Sequence, residues 1–187
     1  RMRLVGSEMC IRDRLYILVN YVKKKTISFF VGWVFGFGYF ISNLYWITNS
    51  LTFDVNFKFI IPFALILIPL FLGIFYGLVT FLSSLFNLKN KLSSVLIFSI
   101  FFGGIEFLRS FILGGFPWNL LVFSVSNNLP SLQILSYVGT YSLNLLSITI
   151  FLLPIIFFHK YKSLAAIIFF CSGLILVVIN YSYGYFN

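Results

Sequence analysis

Charge is what this chain of 187 residues has least of. Only 9% of its positions are Asp, Glu, Lys or Arg, and only four of those are acids. A soluble domain carries about 25% charged residues, so composition alone excludes that class. Cysteine is nearly absent as well. Cys10 and Cys171 have no paired spacing, and Cys171 lies amid Phe169, Phe170, Leu174 and Ile175. Neither a disulfide framework nor a metal cluster is implied, and a thiol in so apolar a setting is inert. The single histidine, His159, stands beside Lys160 between two apolar runs and offers no ligand constellation. No cofactor is called for.

What fills the chain instead is apolar: 60% hydrophobic residues, including 26 phenylalanines, and a mean hydropathy of +1.03. That composition belongs to an all-α integral membrane protein. The formal charge of +9 and pI near 9.7 raise the question of nucleic acid. The basic residues are confined to short loops between apolar runs, however, and orientation in a membrane explains them better. The excess of Phe and Tyr, alongside Ile, Asn and Lys, fits an AT-rich genome and is not read as a cofactor box.

The first fourteen residues differ from the rest. They hold four of the five arginines and both methionines, but no phenylalanine. Residues 1–14 read as a non-native, adapter-like tail and are set aside. Residues 15–25 read as the stub of a truncated helix and a cytoplasmic loop. Five spans follow, at about 26–48, 57–86, 92–113, 130–158 and 163–183, forming an antiparallel bundle of about five transmembrane helices. The first holds about 23 residues, which at ~1.5 Å per residue crosses a hydrocarbon core of ~30 Å. Pro62, Pro69 and Pro154 are expected to kink or end helices locally. Gly32-x-x-x-Gly36 and Gly73-x-x-x-Gly77 place small residues on one helix face, read as close packing between helices. Asn43 and Asn144 are expected to hydrogen-bond across helices, and Asn144, near Tyr141, is also a candidate to line a cavity.

Loop charges give the topology. Lys23, Lys24 and Lys25 precede the first span; Lys89 and Lys91 separate the second from the third, and Lys160 and Lys162 the fourth from the fifth. Cytoplasmic loops collect such residues, so these loops are expected in the cytoplasm. Trp118 and the C-terminal end then face the periplasm of a bacterial inner membrane.

Against this background the stretch from Glu106 to Asn119 stands out. Glu106 and Arg109 lie inside an otherwise apolar helix, where a charge needs a partner or a purpose. Three residues apart, they share one face and are spaced to pair. Gly114-Gly115 and Phe116-Pro117-Trp118 then end the helix with aromatic groups suited to the headgroup level. For Arg109 two readings stand side by side: a structural pair with Glu106, or a guanidinium that contacts a lipid phosphate or fixes the outer loop. The second gains from the bidentate geometry that lysine lacks. Phe116, Pro117, Trp118 and Asn119 form either an interfacial anchor, capped by the Asn119 amide, or a wall of a lipid entrance. Tyr45 and Trp46 fit an aromatic belt about as well as an acyl-chain contact.

Taken in order, Gly32-Trp33-Val34-Phe35-Gly36-Phe37-Gly38, Leu44-Tyr45-Trp46, Glu106-Phe-Leu-Arg109, Gly115-Phe116-Pro117-Trp118-Asn119 and Val138-Gly139-Thr140-Tyr141 with Leu145 resemble the apolipoprotein N-acyltransferase family. The resemblance covers about residues 27–186. Ser110 stands where the family usually has glycine, and Gly114 where it often has threonine. The resemblance implies eight membrane helices and a periplasmic nitrilase-like (carbon–nitrogen hydrolase) domain with a Glu, Lys and Cys triad, which is expected to be absent from this chain. It implies transfer of an acyl chain from a membrane phospholipid, through a cysteine thioester, to the amine of the diacylglyceryl-cysteine heading an apolipoprotein. The chain is then a fragment, inactive alone, with no catalytic residue of its own. Its partners are the phospholipid, the apolipoprotein N-terminus and the missing domain and helices, and nucleic acid is not among them. Lipid and substrate access is assigned to Glu106, Arg109, Phe116, Pro117, Trp118, Asn119, Tyr45, Trp46, Tyr141 and Asn144. Two other classes stay in view. A small transporter would also place charges in its helices, although no inverted repeat is visible, and a noncatalytic membrane scaffold needs packing alone.

Overall fold

The computed structural model describes residues 14–22, 24–44, 52, 55–86, 92–112, 114, 120–125, 133–155 and 164–186. Among these residues there are helices and turns and no strand. Helix α1 covers residues 14–21 and α2 Lys25–Asn43. A 3-10 segment, Val55–Ile60, runs into α3, Ile61–Ser84. Helix α4 is Leu92–Ile112. A 3-10 turn, Leu121–Val125, precedes the short α5, Leu135–Val138, then α6, Thr140–Leu152, and α7, Leu164–Phe186.

Among the described residues four helices are long and apolar enough to cross a membrane: Lys25–Asn43, Lys58–Ser84, Leu92–Ile112 and Ile167–Tyr185. The fold is that of an all-α membrane protein. The fourth expected span, 130–158, takes a different form. Its apolar helix is α6, of 13 residues, and α5 is separated from it by Gly139 at φ 80 and ψ 158. That combination is essentially restricted to glycine, so the break is written into the backbone. At the other end Pro154 has no N–H to donate and crowds the carbonyl four residues back. The Leu153 N–H bonds the Ile150 carbonyl at 3.3 Å, three residues back, tightening the final turn. Pro62 sits in the first turn of α3, where its missing donor costs nothing, and Pro69 lies within that helix.

The α2–α3 seam is antiparallel and close. Along it Ser28, Gly32 and Gly36 meet Thr80, Tyr76 and Gly73 in turn. A methyl group added to Gly36 would stand 2.9 Å from the Gly73 Cα, and one on Gly73 2.9 Å from the Trp33 carbonyl oxygen. Both glycine pairs expected to pack do so, because only a missing side chain lets backbones approach this far. The Ser28 hydroxyl donates to the Thr80 carbonyl at 3.0 Å, and the Thr80 hydroxyl lies 2.8 Å from the Ser28 carbonyl. The Trp33 indole N–H reaches the Leu70 carbonyl at 2.9 Å.

Residues 14–21 form a packed helix. Leu15, Tyr16 and Val19 are buried in the common core, and the Tyr16 ring meets Phe98 of α4 edge-on at 5.4 Å. Helix α7 is the opposite case. It touches α6 where Gly173 faces Ile150 and Leu153, and large apolar side chains from Leu164 to Tyr185 remain exposed along it.

Candidate functional site

One stripe of α4 is buried: Val95, Phe98, Ser99, Phe102, Ile105, Glu106, Arg109 and Ser110. The spacing is that of a helix face turned to a core, and the only two charges on the helix lie on it rather than opposite it. Glu106 and Arg109 are each 2% exposed. A charge removed from water costs several kcal/mol unless neighbours replace the lost solvation, so what surrounds these two decides their role.

Around Glu106 the neighbour is α6. The Asn144 amide N–H donates to Glu106 Oε2 at 2.6 Å. The same side chain turns its oxygen the other way, where it accepts from the Val122 backbone N–H at 3.2 Å. On either side the α4–α6 contact is apolar. Gly103 faces Leu145, and the Phe107 and Tyr141 rings meet edge to face at 5.1 Å.

Around Arg109 the neighbour is α2. Its guanidinium carbon stands over the Phe40 ring, 5.3 Å from the centroid. Phe40 belongs to an aromatic group with Tyr39, Tyr76 and Phe102, joined by centroid separations of 5.1 to 5.5 Å. A cation over a ring gains about 0.5–1 kcal/mol at exposed sites and about 2 or more once desolvated. This guanidinium is on the desolvated side of that range. It is enclosed by protein.

The structure therefore brings four expected residues into one neighbourhood at the end of α4. Glu106 and Arg109 share its buried face, Asn144 binds Glu106, and Tyr141 packs on Phe107. Beyond them the helix stops at Ile112, and Gly114 takes a positive φ of 78, as the expected glycine break requires. Asn43 differs from expectation: its amide bonds the Tyr39 carbonyl of its own helix at 2.9 Å. Tyr45, Trp46, Phe116, Pro117, Trp118, Asn119 and His159 lie outside the described residues. Two members escaped the sequence reading. Phe40 belongs to a different helix from the arginine it carries, and Val122 contributes a backbone N–H, for which no side chain can be a signal.

Comparison with known proteins gives the family. The family model for the apolipoprotein N-acyltransferase N-terminal domain matches residues 14–153. The chain belongs to that family. An apolipoprotein N-acyltransferase of Rhizobium rhizogenes is 29% identical over 160 residues, covering 85% of this chain and 29% of the relative. Another from Brucella melitensis is 35% identical over 134 residues, 71% of this chain and 25% of the relative. A third, from Rhizobium etli, is 34% identical over 131 residues, 70% and 24% respectively. The chain thus spans roughly a quarter of the length of these apolipoprotein N-acyltransferases. No solved structure matches it. The stretch matched to the N-acyltransferase domain runs from α1 through α6 and contains Glu106, Arg109 and Asn144, with α7 beyond it. This is a multi-pass membrane protein of an acyltransferase family.

Proposed function

We propose that this chain is the membrane-embedded part of an apolipoprotein N-acyltransferase, which holds the catalytic domain at the periplasmic face and admits lipid-bearing substrates from the side. The complete enzyme would take an acyl chain from a phospholipid ester onto a cysteine thiolate, releasing lysophospholipid. The amine of the diacylglyceryl-cysteine would then displace the thiolate to form an amide. No catalytic residue is assigned to this chain, and the role proposed for it is positioning.

The observation that carries this reading is the buried cluster at the end of α4. Glu106 ties α4 to α6 through Asn144, while Arg109 ties it to α2 through Phe40. Three helices are thereby fixed where the chain passes into Phe116-Pro117-Trp118-Asn119, the segment proposed to border the lipid entrance with Tyr45 and Trp46. The lysines at 23–25, 89, 91, 160 and 162 orient that end outward. Family membership favours this reading over a transporter or a scaffold.

Arg109→Lys in the complete enzyme tests it. Lysine keeps the charge but loses the planar guanidinium that stands over Phe40. Maturation, read as the ratio of triacylated to diacylated lipoprotein N-terminal peptides by mass spectrometry, is expected to slow about tenfold, equivalent to ~1.4 kcal/mol. Membrane insertion is expected to be unchanged. A wild-type rate in this variant refutes the role given to Arg109. Sidedness is read separately: a cysteine at position 118 should react with a membrane-impermeant maleimide from the periplasm, and labelling from the cytosol overturns the orientation.

A further inference from the structure

Asn144 is 1% exposed, and both ends of its amide are engaged within the protein. Val122, whose N–H it accepts, is fully buried, and so are Leu120 and Leu121 beside it. The first N–H groups of a short helical turn have no partner inside that turn. In a buried turn such a group is costly unless another acceptor replaces water. The Asn144 oxygen is that acceptor for Leu121–Val125.

An asparagine amide is nearly symmetric in shape but opposite in chemistry at its two ends. Rotated by half a turn it would present its NH2 group to the Val122 N–H, donor against donor. Glu106 Oε2 accepts from the NH2 end, which leaves the amide oxygen directed at the Val122 N–H. We infer that Asn144 is a positioning residue: with its amide orientation set by Glu106, it fastens the Leu121–Val125 turn to the seam between α4 and α6. The inference rests on this geometry and holds whether or not the acyltransferase reading does.

The test exchanges the two chemistries. In the complete protein, with every native cysteine, Cys171 and the proposed catalytic cysteine included, replaced by serine, Phe123 is replaced by cysteine and spin-labelled; that side chain is 38% exposed and sits on the turn. The reference label is expected to give a broad, immobilised spectrum. Asn144→Asp removes the donor facing Glu106 and sets two carboxyl groups together, so a mobile component should become the larger part of the spectrum. Glu106→Gln combined with Asn144→Asp restores one amide and one carboxylate in reversed order. The amide introduced on α4 then donates to the carboxylate introduced on α6, whose other oxygen accepts from Val122, and the broad spectrum should return. Asn144→Leu, lacking both bonds, should stay mobile with or without Glu106→Gln.

A double variant as mobile as Asn144→Asp overturns the inference, as does an Asn144→Leu label held as firmly as the reference. Should Asn144→Asp fail to yield folded protein, recovery of monodisperse material in the double variant supports the exchange, and its failure overturns it. Label mobility is read without acyl transfer, so failure here is distinct from failure of the enzymatic reading.

Discussion

Between α2 and α3 the backbones approach because Gly32, Gly36, Gly73 and Gly77 have no side chains, and hydroxyls bond directly to the facing carbonyls. Between α4 and α6 Gly103 alone among the glycines takes that part, and the contact turns on a carboxylate, an amide and a backbone N–H. In a membrane, where lipid is as apolar as leucine, helices must find another reason to associate. The first seam finds it in shape, and rejects added atoms. The second finds it in hydrogen bonding, and rejects the loss of a partner. Among the described residues helix α7 shows little of either, and much of its apolar surface stays uncovered.

The contrast breaks most readily at Glu106. Glu106→Ala leaves the Asn144 amide without its carboxylate and a buried guanidinium three residues away. A loss of about 3–5 kcal/mol is expected from breaking such a buried arrangement, read as a fall in the denaturation midpoint in detergent. Next comes Gly36→Ala, which drives a methyl to 2.8 Å from Tyr76 Cβ and 2.9 Å from the Gly73 Cα. Backbone cannot yield as a flexible side chain can, so about 1–3 kcal/mol should be lost. Gly38→Ala sharpens the point, because nothing lies within 4 Å of the added carbon. Two residues along the same helix the sign should reverse, to a gain of about 0.5–1 kcal/mol from the residue's own helix preference. The smallest effect is expected at Ile175, exposed on α7. Ile175→Ala should move the midpoint by no more than ~0.5 kcal/mol, and a large loss there would show that α7 packs on something as tightly as α2 packs on α3.

Much of this was legible along the chain. Five spans were counted from apolar length, since a bilayer sets the number of residues a helix needs, and four of them are long apolar helices among the described residues. The two glycine motifs announced a tight seam, and a lone acid and arginine in an apolar helix announced buried groups with contacts to other helices. The fourth span was less legible. Its residues are as apolar as the others, but Gly139 and Pro154 act through φ and a missing donor rather than through hydropathy. Counting apolar residues therefore joined pieces that the backbone separates.

By itself the sequence determined the solvent this protein lives in, the approximate helices, and the positions where burying a charge demands compensation. Only the tertiary structure decided what compensates. Glu106 and Arg109 stand three residues apart, yet the described contacts of each reach a different helix: Asn144 from 38 residues downstream, and Phe40 from the other side of the core. Local spacing fixes which side chains share a face. What that face meets depends on how helices distant in sequence are brought side by side, and no single helix carries that information.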